Sequence, residues 1–419
     1  MRYSAWAGSQ PWPQIAMSTF FKGEKMRVAC ICNMNNNMFS LVRYLRDAGV
    51  DAHVFLLAGE ADHFSPECDA FDNDYLSYTH QLSWGDDSKF LNVDTARIRE
   101  TFSGYDRIIA CGAAMAFLHR ANIDVDVYIP YGHDFYYIPF MKPWQISPRF
   151  MRNYLSFSWA QRRAIQSAKH IILDSADIQF ERRMERLRPR GKWHKLVPPA
   201  LYIPQYSGER IPEGARQSKV CSAVVAARKG VDLIIVHHSR HNWRQLPGRL
   251  DWELKGNDEI IRGLACFIKE NPGTTVRMMT FDYGPDVAAS KALIESLGIS
   301  DFVTWLPRSP RKDIMLCLQA SDFVVGEIHR SWVSYGVMME ALASGRPFVG
   351  RRDVDAFTDT SLYPMISVRN SREFSTAISN YLANRAKGEE IGRDANRWLL
   401  TKFNETVKVI LSAVGAPQT

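Results

Sequence analysis

The segment VSYGVMMEALASGRPFV, residues 333–349, gives the clearest indication of the fold. Its pattern predicts a loop, a helix and then a strand, which is the repeating unit of a parallel sheet covered by helices. Backbone N–H groups and the helix dipole at such a helix start suit a diphosphate, so Ser334, Tyr335 and Gly336 are candidate phosphate-binding residues. An ordinary capped surface helix is an equal alternative on this pattern alone.

The same alternation of strands and helices extends on both sides of this segment. In the C-terminal half it predicts strands at 233–237, 275–281, 302–305 and 322–325, with helices at 257–270, 287–297 and 312–320. In the N-terminal half it predicts strands at 27–32, 52–57, 107–111, 125–130 and 170–173. We therefore predict an α/β protein with two Rossmann-like, doubly wound parallel-sheet domains that face each other across a cleft.

Composition places the domain boundaries. Residues 1–25 lack periodicity and are interpreted as a loose N-terminal extension. Residues 26–200 form the predicted N-terminal Rossmann-like domain, and the Pro- and Gly-containing stretch 201–218 is the predicted linker. Residues 219–390 form the predicted C-terminal Rossmann-like domain. Residues 391–419 form a predicted C-terminal helix that could cross back to the N-terminal domain.

Several segments match the motifs of a known family. Residues 281–285, FDYGP, place a Gly-Pro turn after a strand, residues 320–325, ASDFVV, lead into a strand, and residues 345–349 read GRPFV. With residues 333–344 and the 297–306 segment, they resemble the retaining glycosyltransferases of the GT-B fold, the glycogen-synthase-like family four or group 1. The resemblance covers about residues 230 to 350, and the N-terminal half only by architecture. It implies that residues 26–200 are an acceptor domain and that residues 219–390 are a nucleotide-sugar donor domain.

This resemblance implies roles in donor binding. In the family an arginine and a lysine clamp the donor pyrophosphate, and Arg240 and Lys255 match them in order, although the segment between them is longer than usual. Fixed cations there stabilise the charge that develops on a departing nucleoside diphosphate. Gly284 and Glu340 would also bind the donor, and Glu340, one turn after Gly336, would accept from the ribose. Isolated residues of these types are more often solvated surface charges.

One departure concerns the family's two glutamates, which are separated by seven residues. Trp332 stands where the first glutamate, which contacts the donor sugar, would be, and Glu327 is too far from Glu340 for that spacing. The sugar-binding role is therefore unassigned by the sequence. Trp332 also suggests an alternative, a catalytically silent nucleotide-binding scaffold.

Candidates for the acceptor or sugar side come from the N-terminal half. Asn35, Asn36 and Asn37 follow the first strand, where doubly wound folds place a ligand loop, and their amides can bind sugar hydroxyls or phosphate. A turn is an equal interpretation, because asparagine tolerates left-handed backbone angles. His133 and Asp134 follow another strand end, and His133 is a candidate catalytic residue, with a structural histidine as the equal alternative.

Composition limits the function classes. The 419 residues are 46% hydrophobic and 23% charged, which excludes a disordered or fibrous protein. Seven cysteines without a CxxC pair argue against a disulfide framework and predict a reducing, cytoplasmic location. No apolar run reaches the roughly 18 residues of a spanning helix. No DxD-like metal motif accompanies the nucleotide site, so we predict that neither a cofactor nor a metal is needed.

The net charge of +7 is concentrated in residues 143–195, which contain 12 Lys or Arg and four Asp or Glu. Because aromatic residues are interleaved with these charges, the region could contact the anionic inner face of a membrane, where a lipid-linked acceptor resides. Packing of an amphipathic helix in the core is the more common alternative. Nucleic acid is not predicted as a partner, since no recognition motif accompanies the charge.

The sequence thus predicts a retaining, metal-independent hexosyltransferase of the GT-B fold. It would move a sugar from a nucleotide-sugar donor to a hydroxyl of a saccharide or lipid-linked acceptor, in polysaccharide or glycolipid assembly. The alternatives are a GT-B epimerase that acts on a nucleotide sugar without an acceptor, and the silent scaffold.

Overall fold

The computed structural model describes residues 26–61, 64–173, 178–208, 210–331, 335–353 and 362–416. The predicted N-terminal extension, Trp332 and Ser334 therefore lie outside the described residues. The chain forms two compact units. The first comprises the described residues up to Gly208 and from Lys402 onward, and the second those from 210 to Thr401.

The first unit is built around a parallel sheet with the order β3-β2-β1-β4-β5-β6-β7. Its strands are β1 Arg27–Ile31, β2 Asp51–Leu56, β3 Thr79–Gln81, β4 Arg107–Ala110, β5 Val127–Tyr128, β6 His170–Leu173 and β7 Lys192–Lys195. Its helices are α1 Asn37–Asp47, α2 Thr95–Phe102, α3 Ala114–Arg120, α4 His133–Tyr136, α5 Met151–Ser167 and α6 Ile178–Leu187.

The second unit has a parallel sheet with the order β10-β9-β8-β11-β12-β13. Its strands are β8 Leu233–His237, β9 Val276–Phe281, β10 Val303–Leu306, β11 Phe323–Val325, β12 Phe348–Gly350 and β13 Ile366–Ser367. Its helices are α7 Lys219–Ala227, α8 Asn257–Glu270, α9 Val287–Ser296, α10 Arg311–Ala320, α11 Gly336–Ala343 and α12 Ser371–Ala383. The last helix of the chain is α13, Arg385–Val414.

The central strands form because their side chains are apolar on both faces, as a sheet covered on both sides requires. β8 is buried along its whole length, and β1 is buried from Val28 onward. The helices between them bury one face each; α8, for example, buries Ile260, Ile261, Leu264 and Phe267. The prediction of two doubly wound parallel α/β sheets is confirmed.

The stretch predicted as a linker begins as packed structure. Tyr202 and Tyr206 are buried, and the hydroxyl of Tyr202 donates to Asp47 of α1 at 2.6 Å. Helix α13 has residues in both units: Asn396 donates to Leu342 O in the second unit, and Thr406 donates to Val197 O in the first. Among the described residues, no helix is both long enough and apolar enough to cross a lipid bilayer.

Candidate functional site

A topological switch point marks the candidate site in the second unit. From β8 the chain builds β9 and β10 on one side, and then β11, β12 and β13 on the other. β8 and β11 are therefore paired neighbours whose connections lead in opposite directions. Ligands of open parallel sheets bind beyond the carboxyl ends of the strands at such a point. The segments that leave these two strand ends are residues 238–242 and 326–329.

Lys255 and Glu327 form a buried ion pair beside this switch point. Nζ of Lys255 lies 2.7 Å from Oε1 of Glu327, and the two side chains are 15% and 6% exposed. The backbone fixes the same pair of segments, because Ile328 N donates to Lys255 O at 3.1 Å. Gly256 permits this approach: its φ is +73°, and a Cβ there would lie 2.9 Å from the nitrogen of His329.

Glu327 keeps one carboxylate oxygen unused. Its Oε2 is buried and has no hydrogen-bond partner among the described residues. Burial raises the pKa of Glu327, and the charges of Lys255, Arg240 and His329 oppose that rise. Arg240 is half-buried and acts on the same carboxylate as Lys255. The structure thus groups the two cations predicted from the sequence around one acidic side chain.

Glu340, on α11, is held by two other side chains. Its Oε2 lies 2.9 Å from Nε2 of His238, and its Oε1 accepts from Nε of Arg311 at 2.8 Å. Burial favours the neutral carboxyl, but the His238 hydrogen bond and the Arg311 charge hold the pKa of Glu340 below its usual value. A carboxylate has about four acceptor positions, so Glu340 retains capacity for a ribose hydroxyl.

Three more buried polar atoms follow β8 without a partner among the described residues. They are Nδ1 of His238, Oγ of Ser239 and Oδ1 of Asn242. A buried polar group that lacks a hydrogen bond costs about 1–3 kcal/mol, and such groups are rare in native proteins. With Oε2 of Glu327, these atoms form a set of donors and acceptors that a polar ligand or ordered water would satisfy.

The predicted donor residue Gly284 supports this region through its backbone. Its φ is +121°, and a Cβ at this position would overlap the backbone of His241. The His241 ring is bound on both nitrogens, by Ser290 and Thr280. Burial lowers the pKa of His241 to about 4, so the ring is neutral near pH 7. The turn at Gly284 therefore fixes the segment that follows Arg240.

Through the Tyr335 side chain, the start of α11 is linked to the segment that contains Glu327. Tyr335 accepts a hydrogen bond from the backbone N–H of Glu327 through its hydroxyl, at 3.2 Å. Gly336, the first residue of α11, is exposed. Because the Tyr335 hydroxyl is already bound within the protein, the backbone amides of residues 335 and 336 are better candidates than this hydroxyl for binding phosphate. Ser334 lies outside the described residues.

In the first unit, the corresponding switch point lies between β1 and β4. Asn35 and Asn36 have φ values of 53° and 59°, as the turn interpretation expects. Asn36 is buried and donates to Ser65 O, whereas Asn35 is exposed. Asn37 begins α1, and its Oδ1 is buried without a partner among the described residues. Asn36 therefore shapes the loop, and Asn37 offers an acceptor.

Asp134 organises the other strand ends of the first unit. Its carboxylate accepts from the amide of Gly112 at 2.9 Å, from the hydroxyl of Tyr128 at 3.0 Å, and from the amides of residues 131 and 132. Burial raises the pKa of Asp134 to about 6 despite these hydrogen bonds. Asp134 thus fixes the conformation of the loop at residues 131 and 132. His133 precedes it, is exposed, and has its pKa lowered by partial desolvation.

Comparison with known proteins identifies the fold family. No protein-family model and no curated protein sequence matches the chain. The structure of Anabaena HepE in complex with UDP-glucose matches with a TM-score of 0.54 and 17% identity, over 93% of this chain and 100% of that chain. Sucrose-phosphate synthase from Thermosynechococcus elongatus gives 0.59 and 14%, over 93% and 98%. UDP-GlcNAc 2-epimerase from Neisseria meningitidis bound to UDP-GlcNAc gives 0.57 and 12%, over 93% and 99%.

The fold is GT-B. At these identities the likeness shows the fold alone. Within this GT-B chain, sequence reasoning missed three residues that the structure places at the candidate site, namely Glu327, His238 and Arg311. Spacing along the chain argued against Glu327, although its position directly after a strand was a usable signal. Arg311 lies 29 positions from Glu340 and carries no local motif.

The described residues contain no group of three or more His, Cys, Asp or Glu side chains arranged to hold a metal ion. Metal independence stays a prediction, to be tested with chelator.

Proposed function

We propose that this chain is a glycosyltransferase that moves a sugar from a nucleotide-sugar donor to an acceptor hydroxyl. The observation that carries the proposal is the grouping of Lys255 and Arg240 around the buried carboxylate of Glu327 at the switch point of the second unit. The comparison supports it, because a structure of the same fold contains UDP-glucose.

In the proposed mechanism, Lys255, Arg240 and the amides of residues 335–336 bind the donor diphosphate, and Glu340 accepts from the ribose. The bond between the anomeric carbon and the phosphate oxygen breaks, and the diphosphate leaves with the bonding electrons. The acceptor oxygen bonds to the same face of the anomeric carbon, and its proton passes to the leaving phosphate. The two cations stabilise the charge that grows on that phosphate.

The finer parts of the proposal come from the family resemblance. We propose retention of configuration, transfer of a hexose, a saccharide or lipid-linked acceptor, and a cytoplasmic role in polysaccharide or glycolipid assembly. We also propose that Lys255 and Arg240 supply the positive charge that a metal supplies elsewhere. Activity should then be unchanged by EDTA, and the product should have the anomeric configuration of the donor, as measured by NMR.

Nucleotide binding is the first test. We expect one of UDP, GDP, ADP and CMP to raise the melting temperature, because a ligand at a hundred times its Kd stabilises by about 2.7 kcal/mol. Lys255→Met and Arg240→Ala should reduce that shift, whereas Lys229→Met, an exposed lysine of the same unit, should leave it unchanged. The donor-site assignment fails if no nucleotide stabilises the wild type at millimolar concentration.

An epimerase is the second candidate, because a UDP-GlcNAc 2-epimerase matches the fold as well as the transferases do. The reaction products distinguish a transferase from an epimerase. Transfer releases a nucleoside diphosphate only when an acceptor is supplied, whereas epimerisation changes the nucleotide sugar itself without an acceptor. Nucleotide binding with neither product would favour the silent scaffold.

A further inference from the structure

Three exposed aromatic side chains in the first unit each have a cation over the ring. Trp144, Trp159 and Phe150 are 77%, 58% and 40% exposed. Lys142, Arg163 and Arg149 lie over these rings, at 5.0, 5.6 and 5.4 Å from the respective centroids. Large aromatic side chains usually bury most of their area, so three exposed ones within one stretch of chain indicate a contact surface. We call these six residues the basic aromatic surface.

The chain around this surface has no negative charge. Residues 135–173 contain six Lys or Arg and no Asp or Glu. In most proteins, surface charges of both signs alternate, and a run of one sign creates a local potential that attracts the opposite charge. The basic aromatic surface therefore combines an apolar component with a net positive charge from its own stretch of chain, while the acidic side chains nearest to α5 are Asp86 and Asp87, which act on Tyr154.

Helix α5 shows that Trp159 does not belong to the hydrophobic core. Its inner face buries Phe157, Ala160 and Ala164. Trp159 lies on the other face, four positions before Arg163 and seven after Arg152, a spacing that puts all three on one side of the helix. The core interpretation therefore holds for one face of α5, while the opposite face presents Trp159 and two arginines to solvent.

We propose that the basic aromatic surface docks on an anionic lipid bilayer. Tryptophan concentrates at membrane interfaces because its ring is apolar while its N–H remains polar. Lysine and arginine beside such rings meet the phosphates of the headgroups, and each cation near an anionic surface strengthens binding. The surface would thus place rings at the headgroup level and cations on lipid phosphates at the same time. This inference does not depend on the glycosyltransferase proposal.

Two other occupants fit the basic aromatic surface less well, one because of its charge and the other because of the ring faces it needs. A second copy of this surface would bring like charges together. Single-stranded nucleic acid binds by stacking its bases on aromatic faces, and here each ring already has a cation of the protein over it. A bilayer does not need a free ring face, because the ring enters the interface while the cation beside it stays with the headgroups.

The test is sedimentation of the full chain with vesicles. We expect binding to vesicles of phosphatidylcholine with 30% phosphatidylglycerol, and much weaker binding to phosphatidylcholine alone or at high salt. Replacing Arg149, Arg152 and Arg163 by Gln should lower the partition coefficient about 100-fold, at roughly fivefold per cation. The double variant Trp144→Ala, Trp159→Ala should lower it at least about tenfold.

Matched variants in other parts of the chain control for charge and apolar area. Lys229, Lys269 and Lys408 are exposed, and replacing all three by Gln removes the same charge. Trp252 and Tyr283 are 40% and 38% exposed, and replacing both by Ala removes two exposed aromatic side chains of the second unit. These controls should bind vesicles as the wild type does. Neither the variants of the basic aromatic surface nor the neighbouring Arg152→Gln change should alter the nucleotide-induced melting shift. Equal binding by docking and control variants, or tight binding of poly(U) without vesicle binding, would overturn the inference.

Discussion

The Lys255–Glu327 pair shows how a site can carry a stability cost. Removing one partner of a buried ion pair leaves an uncompensated charge and costs about 3–5 kcal/mol, whereas replacing both partners by apolar residues is often neutral. We therefore expect Lys255→Met and Glu327→Leu to destabilise the protein singly, and the double variant to recover most of that loss. Urea denaturation of the four proteins measures this coupling.

Function should respond differently from stability in that series. The double variant lacks both charges, so it should be folded but should show a smaller melting shift than the wild type with any nucleoside diphosphate. A double variant that keeps the wild-type nucleotide response would show that the pair is structural only.

The backbone at Gly256 makes a second prediction. Its positive φ and its closeness to His329 mean that Gly256→Ala should cost about 1–3 kcal/mol of stability and displace Lys255. Gly273→Ala is the control, because nothing lies within 4 Å of a Cβ there and its φ is ordinary. Thermal denaturation with and without nucleotide measures both effects, and equal melting temperatures for the two variants would contradict the prediction.

Sequence reasoning at this level could use local order along the chain. Arg240 and Lys255 come immediately after or before recognisable elements; Lys255 pairs with Glu327, and the charge of Arg240 acts on the same carboxylate. Their role in donor binding stays a prediction. Glu327 was missed because the spacing rule looked along the chain, while the pairing of β8 with β11 is what brings Glu327 to Lys255. Contacts of this kind depend on sheet order, which local patterns do not contain.

Two histidine pairs join the edge strands of the first sheet to their neighbours. His53 on β2 and His80 on β3 approach to 2.8 Å, and His170 on β6 and His194 on β7 approach to 3.0 Å. Burial and the neighbouring positive charges lower the pKa values of His80, His170 and His194 below 6.5 in the folded protein. Each pair is therefore held best with neutral rings.

The sign of the pH effect follows from these shifts. The unfolded chain takes up protons near pH 6.5, while the folded chain resists them until lower pH, so stability is full above 6.5 and falls as the pH drops below it. We expect the double variant with His80→Gln and His194→Gln to show a smaller fall in melting temperature between pH 7.5 and pH 5 than the wild type. An unaltered slope in the double variant would contradict the expectation.

The edge strands also explain what the sequence pattern failed to predict. β3 and β7 were not predicted, and their sequences are THQ and KWHK. Edge strands face solvent and resist further pairing by carrying polar and charged side chains, so they lack the apolar runs that reveal a central strand. The strands β6 and β8 match their predicted limits, because each contains an uninterrupted apolar run, IIL in β6 and LIIV in β8.

The first unit is discontinuous in sequence. The part of α13 from Lys402 onward belongs to it, and Phe403, Val407 and Ile410 are buried there. Phe403 also contacts Tyr44 of α1 edge to face, at 6.5 Å. The stability of the first unit therefore depends on residues that lie more than 200 positions after its last strand.

Core truncations should separate the two units. Phe403→Ala should cost about 3–5 kcal/mol and open the first unit to protease while residues 210–401 stay protected. Phe267→Ala, a matched truncation of a fully buried residue in the second unit, should give the reverse pattern. Limited proteolysis with mass spectrometry distinguishes the fragments, and identical fragments from both variants would contradict the prediction.

The division of α13 between units has a consequence during synthesis. The last residues of the first unit emerge from the ribosome about 200 positions after Gly208, which at 5–20 residues per second is a delay of roughly 10 to 40 seconds. All of the second unit is available before then. Newborn chains would thus hold an incomplete first unit, with the apolar residues that await Phe403 and Ile410 open to chaperones, until these residues of α13 have emerged.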